Sequence, residues 1–256
     1  FFRQALYAVP NALEVRIALA SIELARQRPE AALEVLGAAA DLPPEAHLLR
    51  SHAHRQAGRA SEAAEELALA EELALAADRS DFFSADFYLF YAGLCEDLGY
   101  TDRAIEKIRK ALELEPDSAV CANFLGYVLA DHDRDLSEAQ TWVERALAVD
   151  PDNFAYLDSL AWVYYRQQRY QAALAQIARA LRHAPRVPDP VVLDHAGDIC
   201  KANRLSLLAG MYWHGALSAG IGAELEIKAK LERLTPPAGA RLVDGPAMHG
   251  VLQADE

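Results

Sequence analysis

The sequence predicts an all-α chain built as a solenoid of helix-turn-helix units, on three observations. Alanine supplies 51 of the 256 residues while aromatics make up 8%, a bias that favours closely apposed helices over strands. Two prolines 34 residues apart, Pro151 and Pro185, bracket two segments whose apolar residues recur with helical spacing. The same frame then runs along the chain. Ala32, Ala63, Ala104, Ala139, Ala173 and Ala209 occupy equivalent positions separated by 31, 41, 35, 34 and 36 residues, and a period of this length marks stacked repeats.

Taken in order, Phe2, Ala5 and Pro10 fit the end of a second helix, with Pro10 lying 34 residues before Pro44. Residues 1–10 are therefore expected to be the second helix of a truncated preceding repeat, in a piece of a longer protein. Residues 11–221 divide into six repeats. In the clearest, Leu157, Leu160, Ala161 and Tyr164 fall at i, i+3, i+4 and i+7 of a first helix. Ala173, Ile177 and Ala180 do the same in the second, and Gln167-Gln168-Arg169 breaks the two apart. First helices carry Leu19-Ala20, Leu125-Gly126, Leu160-Ala161 and Ala196-Gly197, because a small residue lets a neighbouring helix approach where a bulky one would overpack. The second repeat departs from this, with Arg50 and Ser51 at those two sites. The interval from Ala63 to Ala104 is seven residues too long, which is expected to lengthen the helix around 62–77 and add a turn at Arg79-Ser80-Asp81. Residues 222–234 read as a charged amphipathic capping helix, and residues 235–256, which lack helical periodicity, as a flexible tail.

These residues resemble the tetratricopeptide repeat, specifically over 104–221 and more loosely over 12–100. The resemblance implies a right-handed superhelix whose first helices line a concave groove. The groove positions would be Asp158, Trp162, Tyr165 and Arg166 in the fifth unit, Asn123 and Tyr127 in the fourth, and Asp194, Asp198 and Lys201 in the sixth. Trp162 and Tyr165 serve there either as peptide anchors or as packing between first helices. Repeats of this family that clamp a C-terminal carboxylate use Lys, Asn and Arg. Only Asn123 matches, and aspartates stand where cations should, so the expected partner is a basic or amphipathic protein segment.

The runs 125–131, 156–164 and 194–198 further resemble bacterial tetratricopeptide lipoproteins, among them outer-membrane adaptors for a periplasmic carboxy-terminal processing protease. That resemblance implies a non-catalytic, lipid-anchored periplasmic scaffold, although Ala161 and Ala196 stand where Gly and Leu are usual. The alternative is the substrate-recognition arm of a larger enzyme, such as a repeat-bearing glycosyltransferase.

Other chemistry finds little purchase in the sequence. The net charge of −13 disfavours nucleic acid as a partner, and no apolar run reaches the roughly 18 residues of a membrane helix. No phosphate loop, GxSxG elbow or HExxH motif is present, so neither a cofactor nor a catalytic group is expected. Asp131-His132-Asp133-Arg134-Asp135 alternates carboxylates but lacks the glycine and terminal glutamate of a calcium loop, and reads as a solvated turn. Asp194, His195 and Asp198, like His47, His52 and His54, are too few for a metal site. Cys95, Cys121 and Cys200 read as buried free thiols. Most of the negative charge falls within residues 51–150, where Glu62, Glu65, Glu66, Glu71 and Glu72 are expected to face water from second helices.

Overall fold

The computed structural model describes residues 13–37, 42–186 and 188–234, so the expected half-repeat at 1–10 and the tail at 235–256 lie outside the described residues. Thirteen α-helices and no strand occur among the described residues. They fall into two compact units that divide after His132. The first holds α1 (Leu13–Ala25), α2 (Pro29–Leu36), α3 (Pro44–Gln56), α4 (Ala60–Ala76), α5 (Ala85–Asp97), α6 (Thr101–Leu114) and α7 (Ala119–Asp131). In it α1 packs on α2, α3 on α4 and α5 on α6, each pair docking on the helix that follows. The second holds α8 (Leu136–Val149), α9 (Phe154–Arg166), α10 (Tyr170–His183), α11 (Pro190–Ala202), α12 (Ser206–Ser218) and α13 (Glu224–Glu232). There α9 pairs with α10 and α11 with α12, while α8 packs on α9 and α13 on α12.

Two kinds of helix start keep the frame. First helices are stopped by polar caps: Ser84 accepts from the Phe87 N–H, Ser118 from Cys121, Asn153 from Ala155, and Asp189 from Val191, each satisfying an orphan donor of the first turn. Pro44 and Pro190 sit at the start of their helices, where the missing N–H costs nothing. Most second helices have no side-chain cap. They follow three-residue turns with one left-handed residue, namely Gln27, Gly58, Gly99, Gln168 and Arg204. In the turn after α3 the Gly58 N–H donates to Arg55 and the Arg59 N–H to His54, at 3.0 and 2.9 Å, closing the helix C-terminus as a Schellman motif.

The small sites are fully enclosed. Ala32, Ala63, Ala104, Ala139, Ala173 and Ala209 are all buried, as are Ala20, Ala161 and Ala196. In the second unit one cluster gathers Leu157, Ala161, Ala173, Ile177, Ala180, Val192, Ala196 and Ile199. The three thiols are buried and unpaired, and burial pushes that of Cys200 up to about 11. The long interval between Ala63 and Ala104 contains α4, at 17 residues, and a 3-10 turn over Ser80–Phe82, which is where the excess was expected.

Helices α3 and α4 are also joined by polar contacts. Ser51 Oγ donates to the Ala63 carbonyl at 2.8 Å, and Glu66 is clasped by His47 at 2.6 Å and Arg50 at 2.8 Å. This buried polar network stands beside the enclosed Ala46 and Ala53 of α3 and Ala63 and Leu67 of α4, and it is sound because its members are partnered. Glu71 likewise lies against Lys107 of α6, at 2.7 Å, with Lys110 at 3.3 Å. The expectation that these glutamates face water is corrected on this point. Glu62, Glu65 and Glu72 are exposed, but Glu66 and Glu71 are buried, since each meets a cation on a neighbouring helix.

Candidate functional site

Helices α9 and α11 of the second unit lie side by side and carry seven of the nine expected groove residues. On α9 the spacing of Asp158, Trp162, Tyr165 and Arg166 places them on one face. Trp162 is stacked between two rings, Tyr165 at 4.8 Å and 13° and His195 of α11 at 4.1 Å and 15°. The guanidinium of Arg166 stands 5.6 Å over the same indole, within cation–π range, and Arg166 Nε donates to Asp133 at 3.0 Å. Trp162 is 8% exposed, while Tyr165 is half-buried. Beneath it His195 Nδ1 donates to the Asp158 carboxylate at 3.0 and 3.1 Å. Both residues are buried, and each supplies the partner that the other needs out of water.

On α11, Asp194 and Asp198 point to a common cation. Lys230 Nζ of α13 donates to Asp194 at 2.8 and 2.9 Å and to Asp198 at 2.9 Å. Burial pushes the Asp198 carboxyl above its usual range, against the pull of Lys230. Burial also works to lower the Lys230 ammonium, but its hydrogen bonds with Asp194 and the charge of Asp198 prevail and raise it. The Tyr165 hydroxyl is raised by burial and then by the nearby Asp198 charge. Lys201 is exposed at the end of α11.

Asn123 and Tyr127 belong to α7 of the first unit, both half-buried. Asn123 Oδ1 is buried with no hydrogen-bond partner among the described residues. The first unit also has an aromatic contact that sequence reasoning missed. His52 stacks on Phe90 at 4.1 Å, with Arg55 over the same ring at 5.3 Å and paired to Asp97 at 3.2 Å. His195 and Lys230 were also missed as members of the α9/α11 face. The only signal for Lys230 was the amphipathic pattern of the last helix.

Among the described residues, Glu96, Asp131 and His132 bring ligand-type atoms within 4.8 Å of one another. His132 Nε2 pairs with one Glu96 carboxylate oxygen at 2.6 Å, while the other Glu96 oxygen is buried with no hydrogen-bond partner among the described residues. Asp135 caps α8 by accepting from the Ser137 and Glu138 N–H groups. No helix of the described residues is long and apolar enough to cross a membrane.

Comparison with known proteins agrees with the helical fold. The tetratricopeptide repeat pattern matches residues 125–188 and 85–118. A TPR repeat-containing protein of Pseudomonas aeruginosa is 40% identical over 92 residues, which is 36% of this chain and 15% of that protein. Among solved structures, a chain of the APC/C hetero-tetramer Cut9–Hcn1 superposes with a TM-score of 0.67 at 18% identity, covering 91% of this chain and 44% of that one. YrrB, described as a TPR protein with an unusual peptide-binding site, gives 0.60 at 16% identity, covering 71% of this chain and 91% of its own. This chain thus spans less than half of the Cut9–Hcn1 chain and a small part of the Pseudomonas protein. It carries tetratricopeptide repeats and has the all-α fold class of tetratricopeptide-repeat solenoids, a fold that binds protein or peptide partners.

Proposed function

We propose that this chain is a non-catalytic protein-interaction module that receives a basic, amphipathic segment of a partner on the shared face of α9 and α11. The observation that carries the reading is the convergence of Asp194 and Asp198 on one ammonium beside the ring stack Tyr165, Trp162 and His195. Carboxylates set next to aromatic walls select a cation carried on an apolar stem. The six-repeat division of residues 11–221, with α13 as its cap, belongs to the same proposal. The narrower role of a periplasmic protease adaptor rests on the motif runs at 125–131, 156–164 and 194–198, and would make the partner segment part of that protease.

The test is binding of two synthetic amphipathic helices to the full chain, identical on the apolar face and carrying either lysines or glutamates on the polar face. The lysine peptide is expected to bind, to weaken as salt is raised, and to lose most of its affinity to the double variant Asp194→Asn, Asp198→Asn. Equal binding of both peptides would sink the reading.

A further inference from the structure

The carboxylates best placed to receive a partner's cation already hold one from the same chain. Lys230 is 17% exposed and bridges Asp194 and Asp198, yet the helix that delivers it is weakly built. Helix α13 has nine residues and no side-chain cap at Ala223, well short of the roughly 12–15 at which an isolated helix becomes even marginally stable. Leu225 on it is exposed, and Ile227 is its one fully buried residue. Ile227 enters the cluster of Leu193, Cys200, Trp213 and Ala216, with Leu231 and Leu234 partly buried against it.

The connection to α12 is permissive. Gly220 has φ +83°, and both Gly220 and Gly222 have open space where a β-carbon would lie. Between them Ile221 is buried. Two glycines therefore flank a single anchored residue, and the helix beyond can pivot there without strain.

We propose that α13 is an exchangeable occupant of the Asp194/Asp198 site, standing in for a basic amphipathic helix of the partner. This rests on the interaction-module reading above and adds a regulatory step to it. Ile227 and Lys230 lie at i and i+3, neighbours on one helical face, so the incoming helix must present an apolar residue and a lysine or arginine with that spacing. The site enforces the charge. Asp194 and Asp198 are largely enclosed, and removing Lys230 with nothing in its place would leave two partly buried carboxylates uncompensated. A neutral or acidic helix cannot take over, whereas a basic one exchanges ammonium for ammonium.

Two measurements on the full chain test this. The first uses a labelled synthetic peptide of residues 223–234, titrated by fluorescence anisotropy. Lys230→Ala loosens the chain's own helix, so this variant is expected to bind the peptide at least about tenfold more tightly than the wild type, as self-competition falls. Adding Asp198→Asn to that variant removes the gain, and a peptide carrying Lys230→Glu does not bind. Equal affinity of wild type and Lys230→Ala, or binding by neither, overturns the exchange.

The second measurement is hydrogen exchange on the wild type. Amides of α13 are expected to exchange about 100-fold faster than those of α12, as befits a segment that opens locally. Protection equal to that of α12 makes α13 a fixed part of the fold and overturns the proposal. A wild-type chain that prefers basic peptides while α13 is fully protected keeps the interaction-module reading and loses only the exchange.

Discussion

Trp213 of α12 lies across Gly197 of α11 so closely that a β-carbon at residue 197 would fall inside the indole, 2.8 Å from Cε2 and nearer still to Nε1 and Cδ1. Trp213 is itself buried in the cluster that receives Ile227, so the ring has little room to withdraw. The small residue at position 197 is thus dictated by one aromatic side chain on the paired helix. Gly197→Ala is expected to cost about 1–3 kcal/mol through overpacking, read from urea unfolding. In a Trp213→Leu background the same change should cost less, and a double-mutant cycle measures that coupling.

Burial separates two residues that the sequence placed together on the groove face. Trp162→Ala removes a ring stacked between Tyr165 and His195, and should cost about 3–5 kcal/mol as a large-to-small core change. Lys201→Ala, on an exposed residue of α11, should stay within about 0.5 kcal/mol. Urea unfolding of the two variants checks the contrast. Comparable small losses would show Trp162 to be a surface ring.

The Glu71–Lys107 pair sits between α4 and α6 with both residues buried, and Lys107 Nζ lies 4.8 Å from the Tyr91 ring. Glu71→Leu takes the nearest carboxylate from the buried Lys107 and should cost about 3–5 kcal/mol, Lys107→Met leaves Glu71 with Lys110 alone at 3.3 Å and should cost less, and the double variant should recover most of the larger loss. Recovery in the double variant is the informative outcome, because it separates the penalty of stranding a charge from the net worth of the pair.

Lys230 makes the docking of α13 sensitive to alkali. Its ammonium is raised above the ordinary 10.5, so the stability it lends is fully present below about 10.5 and is lost as pH rises through the higher folded-state value. The difference in Tm between the wild type and Lys230→Ala should hold constant through neutral pH and shrink in strong alkali. A difference that already vanishes near neutrality would mean that the ion pair contributes nothing to docking.

The period was readable because packing repeats it. Ala32, Ala63, Ala104, Ala139, Ala173 and Ala209 are enclosed for the same reason at every site, the close approach of two helices, and that reason leaves a mark in a single chain. The longer α4 and the turn after it were readable as a surplus within the same count. The interaction surface was legible only in part. The spacing on α9 put Asp158 and Trp162 on one face, but it did not reveal that His195 of α11 would close over both.

The sequence by itself determined the helices, their pairing and the small residues between them, because helical periodicity and turn chemistry act over a few residues. Tertiary structure alone decided which polar and ionisable groups are buried. Glu66 meets His47 across 19 positions, Glu71 meets Lys107 across 36, His195 meets Asp158 across 37, and Lys230 meets Asp194 across 36. Read along one helix, each of these is a polar residue on what looks like an outward stripe. Only when a neighbouring helix brings a hydrogen-bonding partner can such a residue leave water, and that arrival is fixed by the stacking of repeats.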